Sequence, residues 1–185
     1  MNPRNRINQS FFTQDVLTIA PLLLGMKLAC RDKNGIPAYY NITETEAYKG
    51  EEDLACHASK GRTARTEIMY RRGGFLYIYL IYGIHWMLNI VSGKEEDPQA
   101  ILIRGLDGIS GPGRVTKALG IDRSYNAEDL VSSSRIWLEP GVSSPGYTTS
   151  PRVGIDYAGP IWKLKPWRFI LNESPTKQYK QKSNE

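Results

Sequence analysis

The segment of this sequence most typical of a β-strand is Phe75-Leu76-Tyr77-Ile78-Tyr79-Leu80-Ile81-Tyr82-Gly83. Apolar and aromatic residues fill it, and glycines mark turns before it, at Gly73-Gly74, and after it, at Gly83. Its three tyrosines are spaced two and three residues apart, so a strand here would carry hydroxyl groups on both faces. Two explanations remain open for them: core tyrosines with satisfied hydroxyls, or a platform on which nucleic-acid bases stack.

Further strands and two helices are predicted on either side of this segment. Apolar runs bounded by turn residues predict strands at 26–31, 38–48, 86–92, 100–104, 135–139, 153–157 and 167–171. A capped apolar stretch predicts a helix over 14–24, and Pro112 and Gly120 bound a second one. The chain has 17 glycines and 11 prolines, a content that suits short elements joined by many turns. We therefore predict an α+β fold with a curved, largely antiparallel β-sheet and a few flanking helices.

The chain length bounds the number of domains. A chain of 185 residues fits one domain of ordinary size, and its 41% of hydrophobic residues is enough to build a core. Neither an internal repeat nor a linker divides the sequence. We predict a single domain over 1–172, followed by a polar, lysine-rich tail at 173–185 that we expect to be disordered.

The sequence favours an intracellular protein without a metal centre. It has no apolar run near the ~20 residues that cross a bilayer, and residues 1–10 lack the apolar core of a signal peptide. Cys30 and Cys56 are too few for a disulfide framework. These cysteines, His57 and His85 show none of the CxxC or HxxxH spacings that are typical of zinc sites.

The charges are unevenly distributed. Lysine and arginine outnumber aspartate and glutamate 24 to 19, which gives a net charge of +5. Five basic residues fall within 60–72 and six within 163–182, whereas five carboxylates fall within 44–53. Such runs are most often solvated surface. Two basic segments beside one acidic cluster also permit a phosphate-binding rim around a pocket that carries carboxylates.

Two carboxylates lie in the predicted strand at 38–48. Alternation places Glu44 and Glu46 on one face together with Tyr40, Ile42 and Tyr48. Burying a carboxylate without partners costs several kcal/mol, so an interior face would hold these groups for a purpose. An edge strand with both glutamates in water is the alternative.

A series of short motifs follows in order along the chain. The motifs are Glu44-Thr45-Glu46-Ala47-Tyr48, Glu52-Asp53, His57, 76–83, Asn89-Ile90, Ile101-Leu102-Ile103-Arg104, Ser110-Gly111-Pro112, Trp137-Leu138-Glu139 and Arg152-Val153-Gly154-Ile155. In their order and spacing, these motifs resemble the alkyladenine (3-methyladenine) DNA glycosylase family. The resemblance covers about 11–172.

The resemblance implies roles in catalysis for two of these residues and for one backbone segment. Glu46 matches the general base, and Arg104 matches the arginine that helps to hold the attacking water beside it. A backbone carbonyl within 152–155 is expected to complete the water site. Glu44 receives no catalytic role. The chemistry agrees, because a carboxylate near the sugar can activate water and stabilise an oxocarbenium-like transition state.

The remaining matches concern the base pocket and the DNA. Tyr48 and His57 are expected to form one wall of the pocket and Tyr79 the other, with His57 a candidate donor to the base edge. Asn89 matches the residue whose bulk disfavours the exocyclic amino group of guanine. DNA intercalation falls to two residues: Tyr82 enters the space that a flipped nucleotide leaves, and Met69 packs beside this wedge.

The resemblance implies a monofunctional DNA glycosylase of base-excision repair. Such an enzyme flips alkylated or deaminated purines out of double-stranded DNA and hydrolyses the bond to deoxyribose, leaving an abasic site. It needs no cofactor and no membrane, and we expect a monomer. Two alternatives remain: a non-catalytic nucleic-acid-binding module, and a glycosidase of free nucleosides or sugars. The first would show no base excision, and the second would be insensitive to duplex structure.

Overall fold

The computed structural model describes residues 6–141 and 146–172, which form nine strands and four α-helices. The strands are β1 (Lys27–Arg31), β2 (Pro37–Lys49), β3 (Leu76–Ile81), β4 (His85–Ser92), β5 (Gln99–Leu106), β6 (Ile109–Ser110), β7 (Ile136–Glu139), β8 (Tyr147–Ser150) and β9 (Arg168–Leu171). The helices are α1 (Gln9–Phe12), α2 (Val16–Leu22), α3 (Pro112–Leu119) and α4 (Gly159–Lys163). Within these two ranges, no helix is long and apolar enough to span a membrane.

All the strands belong to one antiparallel sheet. Its main order is β3-β4-β5-β2-β1-β7, and β6 pairs with β5. The first part of β2 pairs with β1 over 37–41, whereas its second part pairs with β9 at 44–46, and β9 in turn pairs with β8. Strand β5 follows the other edge of β2 over 42–49. The prediction of a single α+β domain with a largely antiparallel sheet is confirmed.

The two faces of the sheet pack against different material. On one face, α2 and α3 cover the main core, in which Ile78, Leu88 and Ile101 are buried. On the other face, the chain at 56–69 covers a smaller cluster that includes Tyr77 and Val91. Alternation along β3, β4 and β5 therefore directs one set of residues to the core and the other set to this second face. The candidate site lies on the second face.

A double irregularity between β2 and β5 changes the predicted faces of β2. The register pairs Ile42 with Leu106, Glu44 with Gly105 and Thr45 with Ile103, so it passes over one residue on each strand, Thr43 and Arg104. Ile42 consequently shares the main core with Ala47, and Thr45 donates its hydroxyl to the carbonyl of Ala20 in α2. The prediction that Ile42 shares a face with Glu46 is wrong, because bulges of this kind reverse the alternation.

The glycine opposite the bulge is required there by space. A Cβ on Gly105 would lie 2.8 Å from Thr43 Oγ1 and 3.0 Å from the Cβ of Glu44. Contacts this short are repulsive, so any larger residue would push β2 and β5 apart. The edge-strand alternative for Glu44 and Glu46 is also excluded, since β2 lies between strands on both sides.

The other predicted elements differ mainly at their ends. Helix α3 begins at Pro112 and ends before Gly120, which adopts φ 65°, as predicted. Helix α2 is shorter than the predicted 14–24, because Asp15 caps it by accepting a hydrogen bond from the Leu17 N–H. The predicted strand at 153–157 is wrong: the chain makes a turn through Gly154 and a 3₁₀ helix at Asp156–Ala158. The predicted tail at 173–185 lies outside the described residues.

Candidate active site

A cavity of about 700 Å³ opens on the second face of the sheet. Strands β2 to β5, residues 55–57, the start of α3 and the turn at 153–155 surround it. Most of the residues predicted for the site line it, namely Tyr48, His57, Met69, Tyr79, Tyr82, Asn89 and Arg104. The fold thus brings together residues that are up to 56 positions apart in sequence, and it places Glu46 directly behind their surface.

Glu46 is completely buried, with 0% of its surface exposed. Its Oε2 accepts a hydrogen bond of 2.8 Å from the Tyr48 hydroxyl, and its Oε1 accepts one of 2.8 Å from the Val153 N–H. Arg104 Nε lies 3.4 Å from the same Oε1. All three donors come from residues that line the cavity. The carboxylate is therefore fixed immediately behind the cavity wall.

Arg104 is shared between two carboxylates. Its Nε donates to Glu44 Oε1 at 3.2 Å, which is closer than its 3.4 Å approach to Glu46. Arg168, on the neighbouring strand β9, lies 3.6 Å from the same Glu44 oxygen and donates to Ser150 Oγ. Glu44 therefore helps to fix the position of the Arg104 guanidinium. The bulge at Arg104 allows this arrangement, since it directs the guanidinium toward both glutamates.

Burial raises the pKa of Glu46 above its ordinary value. The cost of removing a carboxylate from water is the largest cause, and the charge of Glu44 adds to it. Arg104, the Val153 N–H and the Tyr48 hydroxyl oppose the rise by stabilising the charged form. The pKa of Tyr48 is raised well above 10 by burial and by Glu46, so its hydroxyl keeps its proton and remains a donor. This balance suits a general base, whose pKa works best near the operating pH.

One wall of the cavity is an aromatic cluster. His57 and Tyr79 are in edge-on contact with their ring centroids 4.6 Å apart, and Tyr77 lies 5.3 Å from Tyr79. His57 Nδ1 is 2.8 Å from the Tyr77 hydroxyl. Burial and the nearby Arg65 lower the pKa of His57 to about 4, so its ring is neutral at neutral pH. In this structure His57 and Tyr79 are too close for a base to lie between them, since stacked rings need roughly 7 Å between the outer pair.

Two of the predicted site residues are buried below the protein surface. Asn89 is buried on β4, where its Nδ2 donates to the carbonyls of Tyr77 and Met87. Met69 is 1% exposed and packs in the cluster beneath the cavity with Ala58 and Val91. A side chain that is buried to this extent does not reach a duplex. Met69 lines the same cavity as Tyr82, and its packing beside the intercalating residue stays a prediction.

The turn between β3 and β4 carries the most exposed aromatic side chain among the described residues. Tyr82 is 85% exposed and has φ 53°, and Gly83 follows with φ 70°. Two consecutive residues with positive φ make a type I′ turn, which the Ile84 N–H closes on the Ile81 carbonyl. Ile84 is itself 70% exposed. Sequence reasoning missed Ile84 as the apolar neighbour of Tyr82, although its position one residue beyond Gly83 was a signal.

The basic segment at 60–72 is less free than its charge suggests. Arg62 pairs with both Glu67 and Glu96, and Arg72 lies 3.3 Å from Asp129. Within 6–141 and 146–172, the salt bridges include no partner for Lys60, Arg65 or Arg71. The guanidinium of Arg65 lies 5.1 Å from the Tyr79 ring centroid, at the cavity. Three cations of this segment thus remain available for phosphates.

A buried ion pair was not found by sequence reasoning. Asp53 and Arg152 are paired with both side chains fully buried, and they are 99 positions apart in the chain. The stretch 152–155 was expected to contribute a backbone carbonyl, but the contact that the structure shows is the Val153 N–H on Glu46.

Comparison with known proteins identifies the family of this chain. The family model of methylpurine-DNA glycosylase matches residues 10–110 and 106–175. The chain belongs to the methylpurine-DNA glycosylase family. A relative from Natranaerobius thermophilus is 39% identical over 92% of this chain and 97% of its own. Relatives from Borreliella burgdorferi (40% identical over 91% and 97%) and Methanocella arvoryzae (38% over 90% and 92%) share its name, "Putative 3-methyladenine DNA glycosylase".

Membership of the methylpurine-DNA glycosylase family decides between the enzymatic and non-enzymatic explanations. The protein is a DNA glycosylase, an enzyme that hydrolyses N-glycosyl bonds, and it acts in DNA repair. Its partner is DNA. The binding module without catalysis and the glycosidase of free nucleosides are therefore set aside.

Proposed function

We propose that this DNA glycosylase removes alkylated or deaminated purines from double-stranded DNA, the class that contains 3-methyladenine, 7-methylguanine, hypoxanthine and ethenoadenine. The observation that carries the proposal is the Glu46 carboxylate, which is fixed by three donors behind a cavity lined with tyrosines. The names of the relatives refer to 3-methyladenine, which supports the alkylated part of this class.

In the proposed reaction, Glu46 is the general base. It takes a proton from a water molecule that enters from the cavity beside Arg104, and the oxygen attacks C1′ of the deoxyribose as the base departs. The carboxylate also stabilises the positive charge that develops on the sugar. Glu46 is buried, so its ionised form acts at short range in a medium of low dielectric.

The aromatic residues of the cavity bind the damaged purine. N-alkylated purines are cationic, and Tyr48 and Tyr79 offer faces that attract a cation by about 1–2 kcal/mol. Neutral lesions leave less easily and need a donor on the base. If the Tyr77 hydroxyl donates to His57 Nδ1, the neutral ring carries its proton on Nε2, where it can donate to the base edge. For a base to stack on Tyr79, His57 must move away from its present contact.

The exposed turn between β3 and β4 inserts into the DNA duplex. We assign Tyr82 to the space that the flipped nucleotide leaves, with Ile84 beside it as the apolar neighbour. A non-glycine residue with positive φ is strained by roughly 1–2 kcal/mol, and such strain is found mostly at functional sites. Asn89 limits the pocket next to Tyr77, where the 2-amino group of guanine would have to fit.

The reaction is proposed to be monofunctional and to leave an abasic site. A bifunctional glycosylase attacks with a lysine amine and forms a Schiff base, whereas no lysine lines the cavity within the residues that the structure describes. The proposed mechanism uses only these side chains and water, and a monomer suffices, because one chain supplies both Glu46 and Tyr82.

The proposal is tested with duplex oligonucleotides that each carry one lesion: hypoxanthine, ethenoadenine or 7-methylguanine. We expect release of at least one of these bases and a strand that breaks only after treatment with alkali. Borohydride should trap no covalent complex. Strand cleavage without alkali, or a trapped complex, would contradict the monofunctional mechanism. Failure to release any of the three bases would contradict the proposed substrate class.

A further inference from the structure

The ion pair between Asp53 and Arg152 lies next to the catalytic groups but touches none of the cavity. One Arg152 NH donates to Asp53 Oδ1 at 2.8 Å, and a second contact joins the other NH to Oδ2. Asp53 also accepts the N–H groups of Lys49 and Ala55, which fixes the turn after β2. All four groups on the Asp53 carboxylate are donors, so the charge is fully compensated.

Arg152 connects this turn to the site from the inside. Its NH1 donates at 2.9 Å to the carbonyl of Ala47, the residue between Glu46 and Tyr48. Its guanidinium lies 4.7 Å from the Tyr48 ring centroid and 5.0 Å from that of Trp167. The next residue, Val153, is the one whose N–H donates to Glu46. The Arg152 guanidinium therefore contacts the Ala47 carbonyl, next to Glu46, and the ring of Tyr48, whose hydroxyl donates to Glu46. Arg152 also directly precedes Val153, which supplies the second donor to Glu46.

Stability alone does not account for such a pair. A buried ion pair contributes little net stability, because desolvation offsets most of the attraction between the charges. What this pair supplies is a fixed geometry. The turn at 153–155 contains Gly154 at φ 75° and no strand pairing, so nothing in its local structure holds the Val153 N–H in place.

We propose that Arg152 and Asp53 are positioning residues, whose ion pair holds the Val153 N–H on the Glu46 carboxylate and the Tyr48 hydroxyl on its other oxygen. This inference rests on the proposed role of Glu46 as the base. Arg152 acts through Val153 and Tyr48 and does not itself line the cavity. The role is additional to that of Arg104, whose Nε lies 3.4 Å from Glu46 Oε1.

The positioning role has a consequence for pH dependence. A lost Val153 N–H would leave the charged carboxylate with one donor fewer, and the pKa of Glu46 would rise. The rate would then fall at the acid end, because the base must be ionised. The charged and titratable groups that face Glu46 from the elements around it are Arg104 on β5, Glu44 and Tyr48 on β2, Tyr79 on β3 and Tyr157 beside the turn. Arg168 on β9, which is paired with Glu46 in the sheet register, contacts Glu44.

The test uses Arg152→Lys, which keeps the positive charge but cannot make the bidentate contact. The matched control is Arg135→Lys. Arg135 also pairs with a carboxylate, Glu128, and also lies over a tyrosine ring, Tyr125, but its contacts do not include Ala47, Tyr48 or Val153. Single-turnover excision of hypoxanthine from a duplex is measured with saturating enzyme, together with duplex affinity and thermal melting.

We expect Arg152→Lys to lower the single-turnover rate by about tenfold or more at neutral pH, with affinity changed less than about threefold. The acid midpoint of the rate should move upward by at least roughly half a pH unit. Arg135→Lys should change neither. A rate and an acid midpoint equal to those of the wild type, in a variant that melts cooperatively, would overturn the proposal.

A double-mutant cycle identifies the group through which Arg152 acts. Val153→Pro removes the N–H but also fixes φ and restricts Arg152 before it, and Val153→Ala, which keeps the N–H, controls for the loss of the valine side chain. If Arg152 acts through this N–H, the double variant Arg152→Lys/Val153→Pro is no slower than the worse single variant by more than about twofold. Losses that multiply would overturn the proposal. Should Arg152→Lys not fold, Asp53→Asn carries the same cycle, because asparagine keeps the shape of the side chain and one acceptor oxygen but removes the charge that pairs with Arg152. A wild type that excises nothing would defeat the proposed function instead.

Discussion

Glu46 and Tyr82 are at opposite extremes of the same sheet. Glu46 is fully buried on β2, and every contact to its carboxylate is made by the folded protein. Tyr82 is the most exposed large hydrophobic residue of those described and lies in a turn with positive φ. The first site bears a cost of desolvation and the second a cost of backbone strain. The groups assigned to the chemistry are thus held before DNA arrives, whereas the residue assigned to the duplex is left free.

The largest effect in this comparison is expected at Tyr82, the exposed residue. Tyr82→Ala should lower excision of hypoxanthine from a duplex by about tenfold or more, because the flipped nucleotide loses the side chain that fills its place. Excision from single strands should change much less. The measurement is the single-turnover rate on both substrates. Tyr39→Ala, which removes a half-exposed tyrosine from the far part of β2, is the control and should leave both rates unchanged.

Equal losses on the duplex and on the single strand would show that Tyr82 acts on the pocket or on folding. Tyr82→Gly separates these outcomes, since glycine adopts positive φ without strain. It should melt at the wild-type temperature or above while showing the same loss on duplex DNA.

Asn89 is buried, as Glu46 is, but its side chain lines the cavity. Asn89→Ser should open space next to Tyr77 and raise excision of unmodified guanine relative to hypoxanthine, by a factor that corresponds to about 1–3 kcal/mol. The measurement is the ratio of single-turnover rates in matched G·T and I·T duplexes. Asn126→Ser is the control, because Asn126 also bonds the backbone of β3, at Ile78, but lies outside the cavity. An unchanged ratio would remove Asn89 from the account of specificity.

The basic segment offers a smaller contrast within the exposed region. Arg71 has no carboxylate partner among the described salt bridges, whereas Arg62 is held by Glu67 and Glu96. The log of the affinity for undamaged duplex should fall with the log of the salt concentration. Arg71→Ala should make this slope less steep by about 1, and Arg62→Ala should leave it nearly unchanged. Equal changes in both variants would show that DNA competes successfully for Arg62.

His57 gives the smallest expected effect, on stability. Its pKa is lowered to about 4 by burial and by Arg65, so the folded state binds fewer protons than the unfolded state between that pH and about 6.5. The free energy of unfolding should therefore fall as the pH decreases through this window, by at most about 1.4 kcal/mol per pH unit. Denaturant titrations of wild type and His57→Gln measure it. A wild-type decrease that persists in full in His57→Gln would assign it to other groups.

Much of the fold was predictable because its signals are local. The apolar run at 76–81, the turns that flank it and the bounds of α3 at Pro112 and Gly120 all depend on neighbouring residues. The bulge that reverses β2 was not predictable, since it depends on the register with β5. The false strand at 153–157 shows the same limit: its apolar residues pack against the cavity and not in a sheet.

The site divides in the same way. Glu46, Arg104 and the tyrosines were identified from motifs, and the structure gathers them around one cavity. The pair of Asp53 and Arg152 joins positions 99 residues apart, and no spacing in the sequence indicates it. The resemblance placed Met69 beside the intercalating residue, and the structure shows it 1% exposed in the lining of the cavity.

The two glutamates of β2 provide the most direct test of the central claim, that Glu46 is the catalytic base. They are two residues apart, and Arg104 contacts both. Glu46→Gln and Glu44→Gln are compared in single-turnover excision of the best lesion in duplex DNA, with binding measured in parallel. The account predicts that Glu46→Gln abolishes excision while binding stays nearly intact, and that Glu44→Gln stays within about tenfold of wild type. Excision by Glu46→Gln within about tenfold of wild type would contradict it.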